Sequence, residues 1–319
     1  MKHESARLKY FFSGASGIRA ELLPEVIAHI DYRLLSMHAS FKGNTRIWTA
    51  LTHHPRSAMK EIMLDSGAYT AWSKGHKVEL KELIAVYDDT IAKIKPGLPI
   101  WLINLDVIPG EFGKVASKQE IQAALDHSDD NFAILRKRYG ERVLPVYHQI
   151  EGEARLRFIM SQSDYICASF RQDFSEEVRV RYAEEVLAIT HAGSKLVHGL
   201  ATTGYTMLRR TNFDSVDSAS MLYAAAMGKV LFIDPDGKLD VIAVSSSSPL
   251  QVVPRQHFTS LTAAERALVE KRAEESGVTL QQIGSDLSYR IVMCTVQLAT
   301  WLKNYRYVRP IVERGLFSL

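Results

Sequence analysis

The chain has 319 residues, 46% of them hydrophobic, and a formal charge of +3 at neutral pH, which is enough for one barrel with an appendage or for two modest domains. No apolar run approaches the ~20 residues of a membrane span, and the charged amino-terminal stretch lacks a signal-peptide core, so a cytoplasmic protein with no membrane partner is expected. Cys167 and Cys294 are the only cysteines, too few for a disulfide framework or an all-cysteine metal site, and the small positive charge permits a polyanionic partner without requiring one.

In chain order, apolar or β-rich runs fall at 8–12, 34–37, 62–64, 100–105, 143–147, 165–168, 195–197 and 213–216. Between them apolar side chains recur every three or four residues, as in Leu80, Leu83, Ile84, Tyr87 and Ile91 or in Val178, Tyr182, Val186 and Leu187, the spacing of amphipathic helices. Eight strands alternating with helices predict an α/β fold, a parallel sheet closed into a (β/α)8 TIM-type barrel. Beyond the eighth strand the pattern changes. The runs 229–233 and 238–244 flank Asp234-Pro235-Asp236-Gly237 and predict a β-hairpin, because Asp-Gly supplies the positive φ of a tight turn. The run Ser245-Ser246-Ser247-Ser248-Pro249 reads as a linker, and 262–275, 280–287 and 290–305 read as helices. The expected organisation is a barrel with its hairpin (229–244) over 1–244 and a helical C-terminal region over 245–319.

The strand ends carry the chemistry. They deliver Ser13-Gly14, His38, Asp65-Ser66, Asp106, His148-Gln149, Ala168-Ser169, His198-Gly199 and Asp217 to the carboxyl-terminal rim, where barrels of this kind place their active sites. Three aspartates at one mouth repel one another and raise one another's pKa, so their convergence calls for a functional reason. Singly, each has an ordinary one: Asp65 before Ser-Gly can form a turn, Asp106 can open a loop, and His148 and His198 can be satisfied rim histidines. Asp214 and Asp217 are three apart and face opposite sides of a strand, so one of them is structural. No pair of these residues has the close spacing of a metal site, neither Ser66-Gly67-Ala68 nor Gly14-Ala15-Ser16-Gly17 is a Walker loop, and no serine or cysteine sits in a nucleophile elbow. Aspartate is left as the candidate nucleophile, and no metal is expected. In the tail, Lys303, Arg306 and Arg309 alternate with Tyr305 and Tyr307, a stripe that can hold phosphates and stack on bases, or simply face solvent.

In order and spacing these motifs resemble the guanine transglycosylases, the queuine tRNA-ribosyltransferase family, and are most similar to its shorter, virus-type DNA-guanine transglycosylase branch. The family's Asp-Ser-Gly-Gly-Tyr/Phe is matched by Asp65-Ser66-Gly67-Ala68-Tyr69, its Phe-Asp by Leu105-Asp106, and its Val-Gln-Gly by His148-Gln149 with Gly152 nearby. Its Met-Gly-Val-Gly is matched by His198-Gly199-Leu200-Ala201, and its Val-Asp-Met-Phe-Asp by Phe213-Asp214-Ser215-Val216-Asp217, so the resemblance covers 8–244.

The resemblance implies a base exchange on DNA in which Asp217 attacks C1′ of a guanosine, guanine leaves, and a 7-deazaguanine base such as 7-cyano-7-deazaguanine resolves the covalent intermediate. Asp65 would be the general acid and base, Tyr69 would stack on the base, Ser66, Asp106 and Gln149 would bind its edges, and backbone near Ala168, Ser169 and Gly199, with His198 beside them, would complete the pocket. The zinc site of the tRNA enzymes has no cysteines here, so no cofactor is implied. An accessory protein that opens DNA is a further expected partner, because a stacked guanosine must be flipped out before C1′ can be reached. The same exchange on tRNA, a small-glycoside hydrolase and a non-catalytic subunit are the alternatives.

Overall fold

The computed structural model describes residues 8–14, 18–38, 40, 42–110, 116–149, 151–170, 174–202 and 204–305. The strands are β1 (Lys9–Phe12), β2 (Tyr32–Ser36), β3 (Glu61–Asp65), β4 (Ile100–Ile103), β5 (Val143–Leu144), β6 (Val146–His148), β7 (Tyr165–Ser169), β8 (Leu196–Leu200) and β9 (Ser215–Ser218), followed by the antiparallel hairpin β10 (Lys229–Ile233) and β11 (Leu239–Ala243). The first nine make one parallel sheet in the order β5-β4-β3-β2-β1-β9-β8-β7-β6.

Its two ends are consecutive in sequence, separated by Pro145 alone. Val143 and Leu144 pair with β4, while Val146 to His148 pair with β7. Pro145 has no N–H to contribute to a ladder, but its carbonyl accepts from Cys167 N at 2.8 Å. The fifth strand of the sequence reading is thus a single strand interrupted at a proline, and through it the sheet closes into the TIM-type barrel.

Side-chain alternation separates two cores. Phe11, Leu34, Met63, Ile103, Leu144, Val146, Tyr165 and Cys167 fill the barrel interior. Phe12, Leu35, Ile62, Leu64, Leu102, Val143, Tyr147, Ile166, Ala168, Val197 and Val216 face outward against the helices. The alternation passes unbroken across Pro145. Strands buried on both faces read in sequence as nearly continuous apolar runs, which makes them legible.

The expected helices form at Leu80–Lys93 and Glu176–Ala192, and the C-terminal ones at Ala263–Glu275, Leu280–Ser285 and Leu287–Asn304. The last of these lies on the hairpin: Cys294 Sγ accepts from Leu231 N at 3.3 Å and Gln297 Oε1 from Ile233 N at 3.1 Å, which satisfies strand donors that β11 does not reach. Its Ile291, Val292, Met293, Leu298 and Trp301 belong to the same apolar cluster as the outer faces of the barrel strands. The serine run is held rather than loose, with Ser245 N bonded to Gly228 O, Ser246 N to Gly284 O and His257 Nε2 at 3.1 Å from Ser245 O. Among the described residues no helix is long and apolar enough to cross a membrane.

Candidate active site

Asp65 is the last residue of β3, in register with Ser36 of β2. The chain turns at once: Gly67 has φ +80° and precedes the helix Ala68–Ser73, and its N–H donates to Asp65 Oδ2 at 3.2 Å. A Cβ at Gly67 would lie 2.9 Å from both the backbone N and Cβ of His38, so glycine is required both by its conformation and by the close approach of the neighbouring strand end. The Ser66 side chain is buried beside it, 1% exposed, with Oγ accepting from Ala68 N at 3.4 Å.

Asp217 lies within β9, one residue from its end, in register with Phe11. The strand runs two residues further than the sequence suggested, because a polar residue inside a barrel looks like a strand end. Asp217 Oδ1 accepts Ala201 N–H at 2.8 Å. Ala201, where the resembled family has glycine, sits at φ +50°. Asp214 points away from the mouth: its Oδ2 accepts from Val197 N at 2.8 Å and lies 3.1 Å from His191 Nε2.

Asp106 follows β4 in a segment pinned by a single helix, Lys118–Tyr139. Asn131 donates to Leu105 O at 2.8 Å, Ser128 Oγ accepts from Val107 N at 2.8 Å, and Asn104 donates to Ser128 O at 2.9 Å. Asp106 Oδ2 is 3.0 Å from His148 Nε2. Burial disfavours the charged form of this imidazole, but the Asp106 carboxylate, followed by that of Glu151, outweighs it and raises the histidine's pKa. Glu151 in turn accepts His148 N–H at 3.1 Å, and its own pKa is raised, first by burial. Sequence reasoning offers His148 only as a rim histidine; its place at the end of the interrupted strand, opposite Asp106, is not visible without the fold.

The three carboxylates converge. Burial pushes the Asp65 pKa up to about 7, with the Asp217 and Asp106 charges adding to the rise and the Ser36 hydroxyl and Gly67 N–H opposing it. The Cys167 thiol beneath them is pushed well above its ordinary value by burial and then by Asp106, Asp217 and Asp65 together. It is therefore a neutral, inert part of the barrel floor.

The remaining expected residues are distributed unevenly. Gln149 is buried next to β7, its N–H donating to Ser169 O at 3.1 Å, and Ser169 ends that strand in register with His148. Ala168 and Gly199 are in register with each other and face the outer helices, so only their backbones are available to the mouth. Tyr69 is 57% exposed on the rim, its ring centroid 6.0 Å from that of Trp72, and Trp72 Nε1 donates to Gly110 O beyond Asp106. His198 departs from its expected place at a strand end: β8 continues to Leu200, and His198 lies fully buried inside the barrel, its Nδ1 2.6 Å from Ser215 Oγ.

Lys303 is not brought to this site. It lies on the last turn of Leu287–Asn304, close enough to His29 to lower that histidine's pKa after burial, and His29 stands three residues before Tyr32, the amino-terminal end of β2. That is the face opposite the mouth. Arg306 and Arg309 lie outside the described residues. Basic side chains near the mouth follow the helix Ala68–Ser73: Lys74, His76 and Lys77 are exposed, and Lys74 and His76 lie close enough to His38 to lower its pKa after burial.

The donors for a transglycosylase-type zinc site are missing, since Cys167 is in the barrel interior and Cys294 bonds the hairpin. Among the described residues no group of three or more His, Cys, Asp and Glu side chains is arranged to hold a metal ion. No protein-family model and no curated protein sequence matches the chain.

Proposed function

We propose that the protein is a base-exchange transglycosylase that replaces guanine in DNA with a 7-deazaguanine derivative through a covalent aspartyl intermediate. The observation that carries this reading is the pair Asp65 and Asp217 at one mouth in unlike environments: one carboxyl buried and held protonated up to about 7, the other accepting the Ala201 N–H. A displacement at a sugar carbon with retention uses one carboxyl as proton donor and a second as nucleophile.

In the first step an Asp217 oxygen donates its electron pair to C1′ as the bond from C1′ to the guanine nitrogen breaks. That electron pair leaves with the base, which takes the proton from Asp65. The incoming base then returns a proton to Asp65 and attacks C1′, and the ester bond breaks with its pair returning to Asp217. Two inversions preserve the configuration of the sugar. Asp106, an acceptor held by His148, suits the N1–H and exocyclic amine of a guanine-like base. Tyr69 offers a stacking face at the rim, and Lys74 and Lys77 offer exposed cations for phosphates. On this reading the enzyme works in the cytoplasm, that of the host if the chain is from a phage, beside a partner that opens the duplex.

The test is incubation with radiolabelled guanine and, separately, DNA or tRNA, with Asp217→Ala as control. Label entering DNA supports the proposal. Label entering tRNA alone moves the same chemistry to tRNA, and turnover of a small glycoside without nucleic acid replaces the reading with a glycosidase.

A further inference from the structure

Below Asp217 the barrel interior holds a chain of polar side chains in a region otherwise filled by Phe11, Met63, Ile103 and Cys167. Tyr165 Oη bonds Ser215 Oγ, Ser215 Oγ is 2.6 Å from His198 Nδ1, and His198 Nε2 is 3.4 Å from Asp217 Oδ1. Ser215 and His198 are completely buried, Tyr165 is 6% exposed and Asp217 8%. Phe11 packs edge-on against the imidazole with ring centroids 5.6 Å apart. Among the described residues His198 Nε2 is a buried nitrogen with no hydrogen-bond partner in line, the Asp217 carboxylate at 3.4 Å included.

Counting protons fixes the direction of this chain. Burial raises the Tyr165 pKa well above its ordinary value, so the phenol keeps its proton and must donate it, and its partner is Ser215 Oγ. The single Ser215 proton is then left for His198 Nδ1, which accepts it. The ring proton therefore sits on Nε2, facing Asp217 Oδ1. If His198 Nδ1–H donated to Ser215 Oγ alongside the tyrosine, the serine proton would have no acceptor in the chain and, in the neutral ring, a bare Nε2 lone pair would face a carboxylate oxygen; an imidazolium strands the serine proton as well.

We propose that His198 is a positioning residue for Asp217: Tyr165 and Ser215 lock its neutral Nε2–H form, which together with Ala201 N–H engages Oδ1 and presents Oδ2 to the substrate. The 3.4 Å separation is long for a hydrogen bond, as such contacts often are before substrate binds, and it shortens when the carboxylate is drawn into line. Both donors bond a carboxylate more strongly than an ester oxygen. They therefore favour the step in which Oδ2 leaves C1′ and the charge returns to Asp217. The inference rests on Asp217 being the nucleophile, but the state of the ring is readable without any activity.

The experiment is long-range ¹H–¹⁵N spectroscopy of the full chain labelled at histidine, with the His198 signals assigned by their loss in His198→Gln. Protonated Nε2 with bare Nδ1 in the wild type, and a shift toward protonated Nδ1 in Ser215→Ala, are expected. Guanine exchange in Ser215→Ala should fall ~10–100-fold with KM unchanged and with covalent adduct accumulating, and His198→Gln, which can still donate, should retain more turnover than His198→Leu. Protonated Nδ1 in the wild type, or Ser215→Ala with unaltered spectrum and turnover, overturns the assignment. Absence of any guanine exchange in a wild type whose ring shows the Nε2–H form sinks the transglycosylase reading and leaves the hydrogen-bond chain standing.

Discussion

Asp65 links the chemistry to stability. Its folded-state pKa is about 7, against ~3.9 for an unperturbed aspartate. Between those values the folded protein holds a proton that the unfolded chain has released, so stability is full at low pH and falls as pH rises toward 7. Asp65→Asn should make that fall shallower, seen as a smaller drop in denaturant midpoint across the window with the share due to Glu151 and His148 remaining, and should lower guanine exchange ~10²–10⁴-fold. The two aspartates of the eighth barrel strand should separate cleanly. Asp217→Ala should abolish the covalent adduct, whereas Asp214→Ala should leave an adduct and destabilise the fold by about 1–3 kcal/mol, because Val197 N–H and His191 are left without their acceptor. Adduct formation read by denaturing gel and unfolding read by fluorescence check both. Asp65 was legible because the turn chemistry of Ser66-Gly67 marks a strand end. The role of Ser215 was not, because a serine beneath an aspartate leaves no signature in one sequence.

At the scale of elements, the strands could be read because both of their faces are buried, and their ends were misread wherever the barrel interior is polar. His198 and Asp217 looked like turn residues, and each expected strand stopped just short of them. Pro145 had the opposite effect. The reading ran one strand through it, and the alternation of Leu144, Val146 and His148 on one side justifies that reading although the ladder changes partner there. The contact between the last helix and the hairpin is testable directly. Gln297 accepts from Ile233 N and donates to Ser276 Oγ at 3.0 Å, so Gln297→Leu leaves a partly buried strand donor and a buried serine without their partner and should cost about 1–3 kcal/mol in urea unfolding with an unchanged slope.

For the molecule as a whole, charge is divided between two faces. Lys303 stands by His29 on the amino-terminal face, while Lys74, His76 and Lys77 border the mouth. The sequence showed the basic aromatic stripe but not which end of the barrel its helix would reach, since that depends on how Leu287–Asn304 packs on the hairpin. If nucleic acid is held at the mouth, Lys74→Ala with Lys77→Ala should flatten the salt dependence of single-strand binding by about 0.7 for each phosphate no longer neutralised, and Lys303→Ala should leave the slope unchanged. Fluorescence anisotropy over a salt series distinguishes the two faces.

The interrupted strand has a mechanical consequence. Two register pairs join Val143–Leu144 to β4 and three join Val146–His148 to β7, and among the described residues the barrel has no other ladder across that line. The β1–β2 and β8–β9 ladders also have two register pairs each, but only this strand is interrupted by a proline, so amide exchange at Val143 and Leu144 should be faster than on the uninterrupted β3. His148, which grips Asp106, rides on the loosened segment. Breathing along this seam would widen the mouth on its Asp106 side while leaving Asp65 and Asp217 on their continuous strands; if the mouth takes a 7-deazaguanine, as proposed, that movement makes room for a ring substituent that guanine lacks.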